Sequence, residues 1–173
     1  MNKVLATLDF DGVVSPIDHG RDFEADESFE VFRIGFFYCA ISRETLEFLQ
    51  TLSSLAEAYP DQVAVRWASS WDSLTEDFAP RTDFAIPQFD YIPTGFDKSG
   101  AIAEAAIEVD ASVVLVFEDH RGVHQDLRNI WKKDERFTDR TLISYQPKIT
   151  EGIRLADILE AKGILANEIQ KGS

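Results

Sequence analysis

Asp9 and Asp11 stand two positions apart in LDFDGVVSP (8–16), directly after the apolar run VLATL (4–8). Three further groups follow along the chain: Ser69 and Ser70 in WASSW (67–71), Lys98 in FDKSG (96–100), and Glu118-Asp119 in VFEDH (116–120). Carboxylates, hydroxyls and an ammonium, without His or Cys, make an oxygen-rich set. Such a set suits Mg²⁺, which takes one or two carboxylates and keeps its remaining positions for water and a substrate phosphate. A carboxylate beside the metal can attack phosphorus and become an aspartyl-phosphate. A second carboxyl two residues on can protonate the leaving oxygen and then activate water. A Ser and a Lys can hold the phosphoryl oxygens, and phosphoryl transfer asks for little more than this positioning and charge balance.

The groups converge only if the chain brings them to one place, and the pattern of elements says that it does. Val4–Leu8 is a short apolar run without helical spacing and reads as a buried strand. Residues 17–28 are a polar, acidic excursion, and 29–41 (FEVFRIGFFYCAI) are aromatic and β-branched, the composition of a β-hairpin or flap. Ser42 is a candidate N-cap for a helix carrying Leu46, Leu49, Leu52 and Leu55 and ending near Tyr59-Pro60. Val63, Val65 and Trp67 give a second strand, and 72–78 a short helix stopped by Pro80. Residues 80–96 read as a loop with a short strand around Phe89–Ile92. A helix starting at Asp97 or Ser99 runs to Val109. Ser112–Phe117 is the most apolar strand, Val123–Lys133 an amphipathic helix, and Thr141–Tyr145 a last strand. Thr150 with Glu151 opens a final helix running to about Lys162, before Gly163.

Strand and helix alternate, which predicts an α/β fold with a mostly parallel sheet covered by helices on both faces. In such sheets ligands bind beyond the carboxyl ends of the strands. Asp9 and Asp11 follow the first strand, Ser69 and Ser70 the second, and Glu118 and Asp119 the strongest later one. All of them, with Lys98 at a helix start, are therefore expected at one end of the sheet.

Composition narrows the field further. The 173 residues suggest one domain with its own core, spanning 1–173. Seventeen Lys+Arg against 31 Asp+Glu leave a formal net charge of −14, which gives no general attraction to nucleic acid or anionic membrane. The single cysteine, Cys39, rules out an intramolecular disulfide and a Cys-rich zinc site. No stretch is long enough to span a membrane. A soluble, cytoplasmic protein is the expectation.

DFDGV (9–13) resembles the first motif of the haloacid dehalogenase superfamily, Asp-x-Asp-Gly-[Thr/Val]. Ser69, ending WAS, resembles its second motif, Lys98 its third, and FEDH (117–120) its fourth, in the right order along nearly the whole chain. The resemblance implies a Rossmann-like, three-layer domain. It implies Asp9 as nucleophile and metal ligand, and Asp11 as general acid/base, ligating through its backbone carbonyl. Ser69 and Lys98 would bind the phosphoryl group, with Ser70 competing for the role of Ser69. Asp119 would ligate Mg²⁺, with Glu118 beside it or acting through water. The fourth motif is usually Asp-Asp; here it is Glu-Asp.

WASSW, the acidic pair and LISYQPKITEGI (142–153) are also similar to a small haloacid-dehalogenase-like domain found alone or beside RNA-repair modules. That likeness implies a nucleotide or polynucleotide end as substrate. The 14–41 segment is too short for a full cap domain and the interval from Lys98 to Glu118 has no room for one. The expected protein is nearly capless, with at most a flap, which suits a macromolecular substrate or a small one closed in by an oligomer partner.

Two other function classes compete with a Mg²⁺-dependent phosphatase. A phospho-accepting receiver domain uses the same residue types in another order, with its acid pair first and its Lys last. A non-catalytic phosphate- or metal-binding scaffold would not need every catalytic residue type, yet all are present. Histidines 120 and 124 read as surface residues or as supports behind the oxygen ligands.

Overall fold

The computed structural model describes residues 3–34, 37–69 and 86–172, with side chains for all of these except 32–34, 37 and 38. Ser70, Trp71 and the helix expected over 72–78 lie outside the described residues.

Five parallel strands form the main sheet: β1 (Val4–Leu8), β4 (Val63–Trp67), β5 (Asp90–Tyr91), β6 (Val113–Phe117) and β7 (Thr141–Tyr145). β2 (Phe29–Ile34) and β3 (Phe37–Ser42) form a separate antiparallel hairpin, paired from Phe29 with Ser42 to Ile34 with Phe37. The sheet order is β5-β4-β1-β6-β7, so the chain winds outward to one side of β1 and then returns to build the other. That reversal leaves a crevice at the carboxyl end of β1, where open α/β sheets bind ligands.

The sheet is buried on both faces, as its sequence requires. Every residue of β1 and of β6 is buried. Alternate side chains serve opposite layers. Val4, Ala6 and Leu8 join Leu115 and Phe117 in the layer packed against α1 (Arg43–Ala58) and α4 (Leu155–Gly172). Leu5, Val114 and Val116 face the layer of α2 (Lys98–Glu108) and α3 (Arg121–Lys133).

Two of the helix starts are set by short polar side chains. Ser42 Oγ accepts the Thr45 N–H at 3.1 Å to cap α1, and Asp97 accepts the Gly100 N–H at 2.8 Å to cap α2. Each such cap is worth about 1 kcal/mol. The Asp97 cap fixes Lys98 as the first residue of α2, and so fixes where its side chain leaves the helix.

Two local expectations are corrected. Thr150 and Glu151 do not open a helix; they lie in a turn closed by pairing of Lys148 with Gly152, and α4 starts at Leu155. Gly152 has φ +70°, a conformation that favours glycine. Gly163 does not end α4, because the buried stripe Ile158, Ala161, Leu165 and Ile169 continues across it and packing outweighs the ~1 kcal/mol cost of a mid-helix glycine. The acidic excursion is a largely exposed loop, as its composition predicts, and its own aspartates close its turns. Asp18, Asp22 and Asp26 each accept a backbone N–H two or three residues on. Asp26 also pairs with Arg21 at 2.5 Å, and Arg21 lies over the Phe29 ring, which packs edge-on to the buried Phe23.

Cys39 is buried on β3, and burial together with the nearby Asp11 charge pushes its thiol up to about 11. It is expected to resist iodoacetamide at pH 8 in folded protein and to react fully in urea. Thiol labelling under the two conditions checks this. Among the described residues no helix is long and apolar enough to cross a membrane.

Candidate active site

The strand ends are level. Leu8 pairs with Trp67 on one side and Phe117 on the other, and Phe117 pairs with Tyr145. Ladder hydrogen bonds continue one residue beyond the strands. The Asp9 N–H donates to Phe117 O at 3.0 Å, Ala68 N–H to Leu8 O at 2.8 Å, and Glu118 N–H to Tyr145 O at 3.1 Å. The backbone that carries the acids is thus held as firmly as the sheet itself.

Asp9 is 9% exposed and Glu118 2% exposed, and one cation joins them. Lys98 Nζ donates to Asp9 Oδ2 at 2.6 Å and to Glu118 Oε2 at 2.7 Å. A lysine at the first position of a helix sits against the positive end of the macrodipole, so the two carboxylates, not the helix, hold it there. Asp9 Oδ1 accepts the Phe10 N–H at 2.8 Å, and Glu118 Oε1 accepts the His120 N–H at 2.9 Å. Both carboxylate planes are therefore pinned at each oxygen.

One ammonium does not balance this cluster. Burial, followed by the Asp9 charge, pushes the Glu118 carboxyl up to about 7, although Lys98 pulls the other way. Burial lowers the Lys98 ammonium, but the charges of Asp9 and Glu118 outweigh it and the net shift is upward.

Asp119 completes the group: one oxygen from each of Asp9, Glu118 and Asp119 lies within 4.8 Å of the others. An all-oxygen set, short of positive charge and fixed on two adjacent strand ends, fits a hard divalent cation. Glu118 already has both oxygens engaged by Lys98 and His120, whereas Asp119 has no hydrogen bond to its carboxylate among the described residues.

The Asp119 carboxylate packs directly on Gly12. A methyl group placed there would meet Asp119 Oδ2 at 2.6 Å and Ile149 at 2.9 Å, and Gly12 has φ +74°. Gly12→Ala is therefore expected to destabilise the fold by about 1–3 kcal/mol and, if the acidic cluster holds Mg²⁺, to weaken that binding by displacing Asp119. Urea denaturation and Mg²⁺ titration calorimetry of the variant check the two effects.

The other residues singled out by sequence fall around this centre. Asp11 is half-buried in the loop leaving β1, paired through its backbone with Ser15. Ser69 is buried two residues beyond β4. His120 is exposed, while His124 is 1% exposed, with Nε2 at 2.6 Å from the Glu118 carbonyl oxygen. It supports the acidic pair from behind.

The 146–153 segment, part of the LISYQPKITEGI likeness, also buttresses the site. Its turn docks on the first loop: Ile17 N–H donates to Ile149 O at 2.7 Å and Ile153 N–H to Val13 O at 2.9 Å. Gln146 Nε2 donates to Asp119 O at 3.2 Å. The signal was Pro147 and Gly152, which mark a turn more strongly than Thr150-Glu151 marks a cap.

No family model and no curated protein matches the chain. Solved structures do. The HAD domain of effector protein Lem4 from Legionella pneumophila aligns with TM-score 0.63 at 14% identity, covering 95% of this chain and 96% of that one. An inactive mutant of the same domain aligns with TM-score 0.65 at 14% identity, covering 99% and 98%. Legionella pneumophila effector Ceg4 aligns with TM-score 0.59 at 15% identity, covering 94% of each chain. The chain thus has the haloacid-dehalogenase-like fold.

Proposed function

We propose that this haloacid-dehalogenase-like chain is a Mg²⁺-dependent phosphatase that works through an aspartyl-phosphate on Asp9. The observation that carries the proposal is the Lys98 ammonium held between Asp9 and Glu118 at the carboxyl end of the central strand, with Asp119 alongside.

In this reading the Asp9 carboxylate forms a bond to phosphorus as the bond to the leaving oxygen breaks. Asp11, protonated, gives its proton to that oxygen. Water then attacks the aspartyl-phosphate, Asp11 takes back a proton, and inorganic phosphate leaves. Lys98 and Ser69, with Ser70 as the alternative hydroxyl, hold the phosphoryl oxygens. Mg²⁺, held by Asp9, the Asp11 carbonyl and Asp119, would neutralise charge developing on those oxygens. Glu118 orients Lys98.

The substrate in this proposal is the end phosphate of a nucleotide or polynucleotide. What supports a large substrate is the absence of a cap among the described residues. Between β1 and α1 stands only the β2–β3 hairpin, and α2 leads to β6 through residues 109–112 alone. A cytoplasmic location belongs to the same proposal.

Hydrolysis of an aryl phosphate tests it. Activity is expected with Mg²⁺, lost with a chelator and restored by added Mg²⁺. Mg²⁺ binding without turnover of aryl phosphate, nucleotides or phosphorylated oligonucleotides would favour a binding module instead.

A further inference from the structure

In a chain with net charge −14, cations are scarce and most of those described are taken. Arg66 is held by Glu108, Arg136 by Glu104 and Asp134, Arg140 by Asp110, and Arg154 by Asp157. Helix α3 is different. Arg121, Arg128 and Lys132 are exposed and have no ion pair among the described residues. With Gln125 they fall at i, i+4, i+7 and i+11, one flank of a helix. His124 and Leu127 turn inward, and Asp126, Asn129 and Lys133 line the groove shared with α2. The cation row therefore lies on the other flank, beside β7, the edge strand of the sheet.

The row begins at the site. Arg121 is two residues after Asp119, and at 1.5 Å per residue it extends about 16 Å down the outside of the molecule to Lys132. Leaving three cations unpaired in an acidic protein, aligned and ending at the candidate active site, has a chemical use. They would hold a polyanion whose terminal phosphate enters that site.

We infer that the α3 flank Arg121–Gln125–Arg128–Lys132 is the docking surface for a single-stranded polynucleotide, an inference that rests on the phosphatase proposal for its purpose but not for its test. Each polynucleotide end phosphate brings phosphodiesters with it, so cations beside the site serve every such substrate. A peptide carries no obligatory charge there. A membrane would need apolar contact, and no apolar residue lies in the row. Contacts to phosphates fix position without reading sequence, so little sequence preference is expected.

The test is binding of a fluorescein-labelled 12-nucleotide single strand by anisotropy, from 50 to 200 mM salt, with the whole chain in Mg²⁺. The variant carries Arg121→Gln, Arg128→Gln and Lys132→Gln together. A control with Arg43→Gln, Arg154→Gln and Lys171→Gln removes the same charge elsewhere. Three phosphate contacts predict a log–log salt slope near about −2 for the native chain. The α3 variant is expected to bind at least about tenfold more weakly at 50 mM salt, with a flattened slope, and the control to bind as the native chain does. Aryl phosphate turnover is expected to be equal in all three. Equal loss in variant and control would reduce the effect to net charge and overturn the inference. So would a native chain that binds an acidic peptide and not the oligonucleotide, or binds neither. Failure of aryl phosphate hydrolysis would count against the phosphatase proposal alone.

Discussion

Asp9→Asn is expected to lower Mg²⁺-dependent aryl phosphate hydrolysis to background, a loss on the order of 10⁴-fold or more, because no other carboxylate can take over as nucleophile at that position. The substitution keeps the shape of the side chain and the Phe10 N–H donor to its oxygen. It removes one negative charge from a cluster in which that charge helps push Glu118 up to about 7. The variant should therefore be at least as stable as the native chain in the absence of metal. Its Glu118 carboxyl, followed by carbon-detected NMR in chelator, should titrate closer to the ordinary range.

Asp11→Asn should differ in kind. Turnover should fall by about 10²–10⁴, yet an aryl phosphate has a good leaving group and needs little proton donation in the first step. A burst of one equivalent of phenol, followed by slow release of phosphate, is expected. Full activity in Asp9→Asn, or a burst in Asp9→Asn and none in Asp11→Asn, would sink the assignment of roles.

Most of this geometry was legible because the chain repeats one simple statement. Each apolar run of the central strands ends in a residue that apolar runs do not need: Asp9 after Leu8, Ser69 after Trp67-Ala68, Glu118 after Phe117. A parallel ladder in flush register turns that one-dimensional fact into a cluster. Lys98 was legible from its place in the order of the motifs, beside a helix start that the sequence put at Asp97 or Ser99; Asp97 is the cap.

What escaped the sequence is what long-range packing decides. Nothing local says that Glu118 spends its oxygens on Lys98 and a backbone N–H, while the Asp119 carboxylate has no hydrogen bond among the described residues. Nothing local says that the 148–152 turn closes against the 10–17 loop, or that Asp119 rests on Gly12. Gly163 misled because the helix through it is held from one side by residues before and after it.

Lys98→Met is expected to produce the largest change in stability. Lys98, Asp9 and Glu118 have side chains only 17%, 11% and 2% exposed, so the ammonium cannot be replaced by bulk water. Removing one partner of a buried ion pair typically costs about 3–5 kcal/mol. The loss should depend on pH with a definite sign. Glu118 titrates higher in the folded chain than in the unfolded one, so it favours folding while protonated. In metal-free native protein that contribution is complete below pH 4.5 and is lost as the pH rises through about 7. Without Lys98 the carboxyl moves further up.

At pH 5 the variant should therefore relieve much of its strain by keeping Glu118 protonated, whereas at pH 8.5 it must bury an uncompensated negative charge. The urea midpoint of Lys98→Met, measured against native protein in chelator, should differ modestly at pH 5 and widely at pH 8.5. Mg²⁺ should stabilise the variant more than the native chain, since it restores a positive charge to the same carboxylates. It should not restore turnover, which is expected to stay about 10²–10³-fold down if Lys98 is, as proposed, the donor to the phosphoryl oxygens. Equal midpoints for native and variant at both pH values would mean that the Asp9–Lys98–Glu118 contacts do not hold charge together in solution. The site would then lose its electrostatic basis, whatever its fold.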